Sequence, residues 1–150
     1  MKEDELIRVK LPPEWSDYSH ENPDGPATFI REINNEPSVF QVSFVLQKGG
    51  DTPNPSCEDL IEIARNTGED IPAGDLVETS SGMCAFGIFG AAIFKSKETP
   101  RTQIWYLSDG HNFILATHIC PEVPEPEELT EVQKMVNNLY VSKRPFWKRR

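Results

Sequence analysis

Apolar and polar positions are patterned most clearly over Thr102 to Cys120, TQIWYLSDGHNFILATHIC. Two runs of aromatic and β-branched residues flank Asp109-Gly110 there, which predicts an antiparallel hairpin. Asp-Gly suits the φ > 0 positions of a two-residue type I′ turn. With that turn Ser108 lies opposite His111, Trp105 opposite Ile114, and Arg101 near His118. His118, Cys120, Ile114 and Trp105 then share one surface, while Trp105 and Tyr106 point to opposite faces.

The same reading extends along the chain. Glu5 to Leu11 alternates into a short first strand stopped by Pro12-Pro13. Glu14 to Pro26 reads as a loop with a turn, its Trp15 packed on the body. Ala27 to Ile33 and Ser38 to Leu46 form a strand pair joined through Asn34-Asn35-Glu36-Pro37. Lys48 to Pro55 is a Gly/Pro loop. Ser56 suits a helix N-cap with Asp59 as its capping-box acid, and Leu60, Ile61 and Ala64 give that helix an apolar face ended at Thr67-Gly68. Asp75 to Thr79 predicts a strand, and Gly82 to Phe94 a longer one, apolar on both faces and so interior to a sheet. Gly87 and Gly90 inside it suggest a bulge or the close approach of another backbone. They match no phosphate-binding glycine motif. Pro121 to Pro126 is a rigid connector, followed by a final helix over about Glu127 to Tyr140. Its stripe is Leu129, Val132, Met135, Val136 and Leu139.

The order β-β-β-helix-β-β-β-β-helix predicts an α+β fold. The economical arrangement is an antiparallel sheet of about six to seven strands flanked by two main helices. The 150 residues suit one domain, taken as 1–142, with a basic tail at 143–150.

Charge sharpens this picture. The formal net charge is −9, yet five of the 15 basic residues lie in the last eight positions. Residues 1–142 therefore set ten basic against 24 acidic side chains. So acidic a body repels phosphates and anionic membranes. Three widely spaced cysteines without a CxxC pair argue for reduced thiols. With no secretory leader pattern and no apolar run of membrane-spanning length, the expectation is a cytoplasmic protein without membrane insertion or nucleic acid binding.

The order of motifs resembles the PsbP-like and DcrB-like α/β sandwich proteins over nearly the whole chain. It runs from a first strand leading to Pro-x-x-Trp (Pro12 to Trp15), through an Asn-Pro-Asp-Gly-Pro turn at Asn22 to Pro26 and the strand Ser38 to Leu46. A helix opening Ser-x-Glu-Asp-Leu at Ser56 to Leu60 follows, then a Gly-led strand from Gly82, the Asp109-Gly110 hairpin and a terminal amphipathic helix. The resemblance implies an α/β/α sandwich and a binding or accessory role, and it supplies no active site.

Among residues able to carry chemistry, His118 and Cys120 form a His-x-Cys pair on one strand face. Joined by Cys84, His111 or a carboxylate, they would make a zinc site or a Cys/His nucleophilic centre. The simpler reading is a strand-end histidine and a small buried thiol. His20 and His111 fall in polar turns. Glu122, Glu125, Glu127, Glu128 and Glu131 read as a solvated helix start rather than a calcium loop. Trp15, Trp105, Tyr106, Trp147, Arg149 and Arg150 are the candidate partner-binding residues. The tail KRPFWKRR also suits a solvated terminus, or an anchor for anionic lipid or nucleic acid. The expectation is a non-enzymatic module without a cofactor, monomeric or dimeric, that docks a protein with a basic surface. An immunity-type protein or a secretion-associated chaperone has this character. The alternative is a metal-dependent or Cys/His enzyme built on His118 and Cys120.

Overall fold

In the computed structural model, residues 5–21, 25–45 and 54–143 are described. Among the described residues, nine strands and two α-helices form in the order β1 (Glu5–Arg8), β2 (Trp15–Asp17), β3 (Ala27–Arg31), β4 (Ser38–Val45), α1 (Cys57–Asp70), β5 (Asp75–Cys84), β6 (Gly87–Lys95), β7 (Arg101–Ser108), β8 (Phe113–Cys120), α2 (Pro126–Asn138) and β9 (Tyr140–Lys143). Seven strands pair in the order β2-β3-β4-β8-β7-β6-β5, antiparallel throughout. The expected α+β class and strand number are those observed.

Both faces of this sheet are covered, as the two-sided apolar pattern of its central strands requires. On one face Leu60 and Ala64 of α1 pack against Ala92, Phe94, Ile104 and Tyr106. On the other, Val132, Met135, Val136 and Leu139 pack against Phe40, Ala91, Trp105 and Ile114. Period-2 alternation along β7 thus sends Trp105 and Tyr106 to opposite cores. The α1 capping box forms as expected: the Asp59 N–H donates to Ser56 Oγ at 3.1 Å, and the Ser56 N–H to Asp59 Oδ2 at 2.9 Å.

The structure corrects the sequence reading at six places. The β7–β8 connection spans four residues, so Ser108 pairs with Phe113, Trp105 with Ala116 and Arg101 with Cys120. Only Gly110 of that turn has a positive φ, +106°. Asp109 instead uses its carboxylate, which accepts from the N–H groups of His111 at 3.0 Å and Asn112 at 2.8 Å. The resulting shift is two residues, and a two-residue shift keeps every side chain on its own face. Trp105, Ile114, His118 and Cys120 accordingly still share the α2 side.

The long strand expected over Gly82 to Phe94 is a hairpin that reverses at Ala85-Phe86, with Cys84 paired to Gly87. Only β6 lies inside the sheet. β5 forms its edge, leaving Leu76, Val77 and Met83 exposed. Helix α1 runs past Thr67-Gly68 to Asp70, because Gly68 is the helical position against which the Phe94 ring sits. Trp15, expected in a loop, starts a short edge strand paired to β3. Finally, β1 stays outside the main sheet. Helix α2 stops at Asn138, freeing Tyr140–Lys143 to pair with β1 in a two-stranded sheet. The turn read at Asn22 to Pro26 and the loop at Lys48 to Pro55 lie partly outside the described residues, and Leu46 wholly so.

Gly90 explains the glycine signal within β6. A Cβ built there would lie 2.6 Å from the Leu60 carbonyl carbon, so α1 rests its backbone directly on the strand. Gly90→Ala is expected to cost about 2 kcal/mol through overpacking, seen as a lower urea midpoint at unchanged m-value. An unaltered midpoint would contradict this backbone contact.

Candidate functional site

The site is assembled from three separated segments. The end of β8 carries His118 and Cys120, and the first turn of α2 carries Glu128. β3 and the turn after it supply Arg31 and Asn34. His118 and Cys120 are fully buried, and Glu128 is 1% exposed. The Glu128 carboxylate lies 2.7 Å from His118 Nε2 and 3.7 Å from Cys120 Sγ, and Sγ lies 3.3 Å from the same Nε2. Its second oxygen accepts from Asn34 Nδ2 at 3.0 Å. A parallel network stands beside it. Glu131 accepts from Arg31 at 2.8 Å and 3.1 Å and from the Trp15 indole at 2.8 Å, while Arg31 Nη1 donates to Asn34 Oδ1 at 2.7 Å. The Trp15 ring covers His118 with ring centroids 6.1 Å apart.

Burial works to raise the Glu128 carboxyl, but hydrogen bonds from His118, Ser38 and Asn34 outweigh it and hold the group at about 2. Burial also lowers His118, against the pull of Glu128. The state consistent with both is an ionised Glu128 receiving the Nε2–H of a neutral imidazole. Burial, reinforced by the Glu128 charge, pushes the Cys120 thiol up to about 12. Arg31 is raised by its hydrogen bonds to Glu131. The result is a buried, charge-matched cluster.

The cluster does not present an accessible nucleophile. A Cys–His–acid relay takes the thiol proton on one ring nitrogen and orients the ring through the other. Here the thiol's closer contact, 3.3 Å, is with the nitrogen that the carboxylate already holds, and its contact with Nδ1 is longer, 3.8 Å. The thiol is also held in its neutral, unreactive form, away from solvent. What the arrangement does is place three ligand-type atoms around one point. His118, Cys120 and Glu128 are the one group of three or more metal-ligating side chains with such convergence among the described residues.

A cavity of about 300 Å³ adjoins the cluster, lined by Arg31, Ile33, Asn34, Asn35 and the segment Glu122–Glu125 with Glu127 and Glu128. Ile33 and Val123 on it are 67% and 80% exposed.

The candidate residues sort accordingly. His118 and Cys120 come together with a carboxylate, whereas Cys84 and His111 do not join them. His111 is exposed in the β7–β8 turn, and His20 in a short 3-10 turn at Ser19–Glu21. Trp15, Trp105 and Tyr106 are 4%, 1% and 8% exposed, so their place is in the cores and not on a partner-binding surface. Trp147, Arg149 and Arg150 lie outside the described residues. Glu128, read as a solvated acid, is buried instead. Its signal was available: Glu128 stands four residues before Val132 on the stripe buried by α2. Arg31 likewise alternates with the buried Phe29.

No protein family and no curated protein matches this sequence. A crystal structure from Bacteroides thetaiotaomicron VPI-5482, determined at 1.50 Å, is similar in fold, with a TM-score of 0.51 at 13% identity. The match covers all of this chain and 52% of that one, so this chain spans about half the length of its structural neighbour. Among the described residues no helix is long and apolar enough to cross a membrane.

The shifted groups fix how stability depends on pH. In acid the unfolded chain binds protons at Glu128 and His118 that the folded chain refuses, so stability is complete only above the ordinary histidine value of 6.5. It falls as pH drops through 4.5 towards 2, where folded Glu128 protonates. It falls again above 9, where the unfolded Cys120 ionises and the folded thiol does not. Urea midpoints across pH are expected to trace this profile, and Glu128→Gln to flatten the limb between 4.5 and 2. An identical acid limb in the variant would refute the assignment.

Proposed function

We propose that the chain is a non-enzymatic binding module that docks a protein with a basic surface. The single observation behind this reading is the cavity beside α2. Three carboxylate side chains, Glu122, Glu125 and Glu127, meet there with two exposed apolar side chains, Ile33 and Val123, above the buried Glu128. Apolar anchors beside like charges are what a charged protein interface uses: the apolar groups hold, and the carboxylates select and steer a cationic partner. The inaccessible Cys120 thiol favours binding over chemistry at this end of the sheet. The acidic balance of residues 1–142 acts in the same direction over longer range.

The occupant is a lysine- or arginine-bearing segment of the partner, its side chain entering between Glu122 and Glu127. Neutralising a basic toxin, or escorting a basic secreted protein in the cytoplasm, are roles of this kind. The resemblance to PsbP-like and DcrB-like sandwich proteins, with their accessory and binding roles, agrees with them. Three free thiols suit a reducing compartment.

Charge reversal tests the surface. Capture from lysate of the source organism is expected to yield a partner whose retention falls steeply with salt. Glu122→Lys with Glu127→Lys is expected to lower its affinity at least tenfold. Glu62→Lys with Glu69→Lys, the same change in charge on the exposed face of α1, should cost far less. Equal losses from both pairs, or none from either, would defeat the reading.

A further inference from the structure

We infer that His118 Nε2, Cys120 Sγ and Glu128 Oε2 form a three-donor site for a zinc-class divalent cation. This inference is independent of the docking surface above. It rests on the point made by the geometry: one nitrogen, one sulfur and one oxygen from two elements converge, with separations of 2.7, 3.3 and 3.7 Å. Bond lengths of about 2.0 Å to nitrogen and oxygen and about 2.3 Å to sulfur put tetrahedral zinc donors roughly 3.3–3.7 Å apart. Two edges of the donor triangle already fit. The third, between His118 and Glu128, must open by roughly 0.6 Å as the hydrogen bond gives way to the ion.

The mixed donor set belongs to a borderline-soft ion rather than calcium or magnesium, which take oxygen ligands. Support around the donors is also in place. Asn34 holds the other Glu128 oxygen at 3.0 Å, and Trp15 packs over the His118 ring. Glu128 is a wall of the cavity as well as a member of the cluster, so an ion and a fourth ligand, a water, enter from that side. Binding balances simply. The Cys120 proton leaves to solvent as the sulfur–metal bond forms, and the His118 proton moves from Nε2 to Nδ1 so that the Nε2 lone pair meets the metal. Ionised Cys120 and Glu128 then cancel the dication. Arg31, 4.0 Å from Glu128, remains paired with Glu131.

Cobalt(II) titration under anaerobic conditions tests this, because a thiolate-to-cobalt charge-transfer band distinguishes the site from weak binding at surface carboxylates. The decisive protein is Cys57→Ser/Cys84→Ser, in which Cys120 is the sole thiol. It is expected to develop the band to saturation at one equivalent, together with visible bands of tetrahedral intensity, and to lose both when one equivalent of zinc is added. Adding His118→Gln should weaken cobalt binding at least tenfold, with near-ultraviolet circular dichroism confirming the fold. No charge-transfer band in the folded double variant would overturn the inference, whatever the core variants do. So would a band that His118→Gln leaves unchanged in a folded protein.

Discussion

A buried carboxylate must be answered by donors, and in this chain that demand falls on Glu128. Its partners are His118 on β8 and Asn34 beyond β3, elements far apart in sequence. One turn further along α2, Glu131 engages Arg31 of β3 and Trp15 of β2. Apolar packing alone would let α2 slide along the sheet, because Val132, Met135 and Val136 meet a broad apolar surface. The two glutamates fix its position and rotation. Removing any one donor would leave a buried charge short of partners, a loss on the order of 3 kcal/mol. The orientation of α2 therefore rests on polar contacts, and the cavity at its N-terminal end follows from that orientation.

The apolar sheet and the polar site were legible in the sequence to different degrees, for physical reasons. Alternation along β7 and β8 assigned faces correctly, and the assignment survived an error in the turn because facing has a period of two residues. The reversal at Ala85-Phe86 was hidden because residues on both sides are small or apolar, with no turn dipeptide to mark it. β2 and β9 are too short to show a period. Glu128 and Arg31 were missed because charge was read as exposure. Charged residues sitting on the buried phase of a helix and of a strand are a sign that two elements are joined there, and it takes both patterns together to see it.

Cys120, His118 and Glu128 illustrate how little residue type alone says about reactivity. The same three side chains, with the thiol drawn closer to Nδ1 and opened to water, would be a nucleophilic centre. Buried between Trp15, the sheet and α2, they form instead an electrostatically quiet cluster, a neutral imidazole and a neutral thiol set against a charge already matched by donors. The acidic wall of the adjoining cavity is different in character, since its outer carboxylates face solvent beside apolar side chains.

The small sheet of β1 and β9 has a bearing on how the fold is reached. Arg8 Nε donates to Ser142 Oγ at 2.9 Å across a sequence separation of 134 residues. A ribosome emits β9 only after both helices and all seven strands of the main sheet have followed β1, so this pairing must wait for everything between them. Closing so long a loop has a large entropic cost, which only a body already held together by the seven-stranded sheet can reduce. The β1–β9 clasp is thus fastened only after the body it closes has formed.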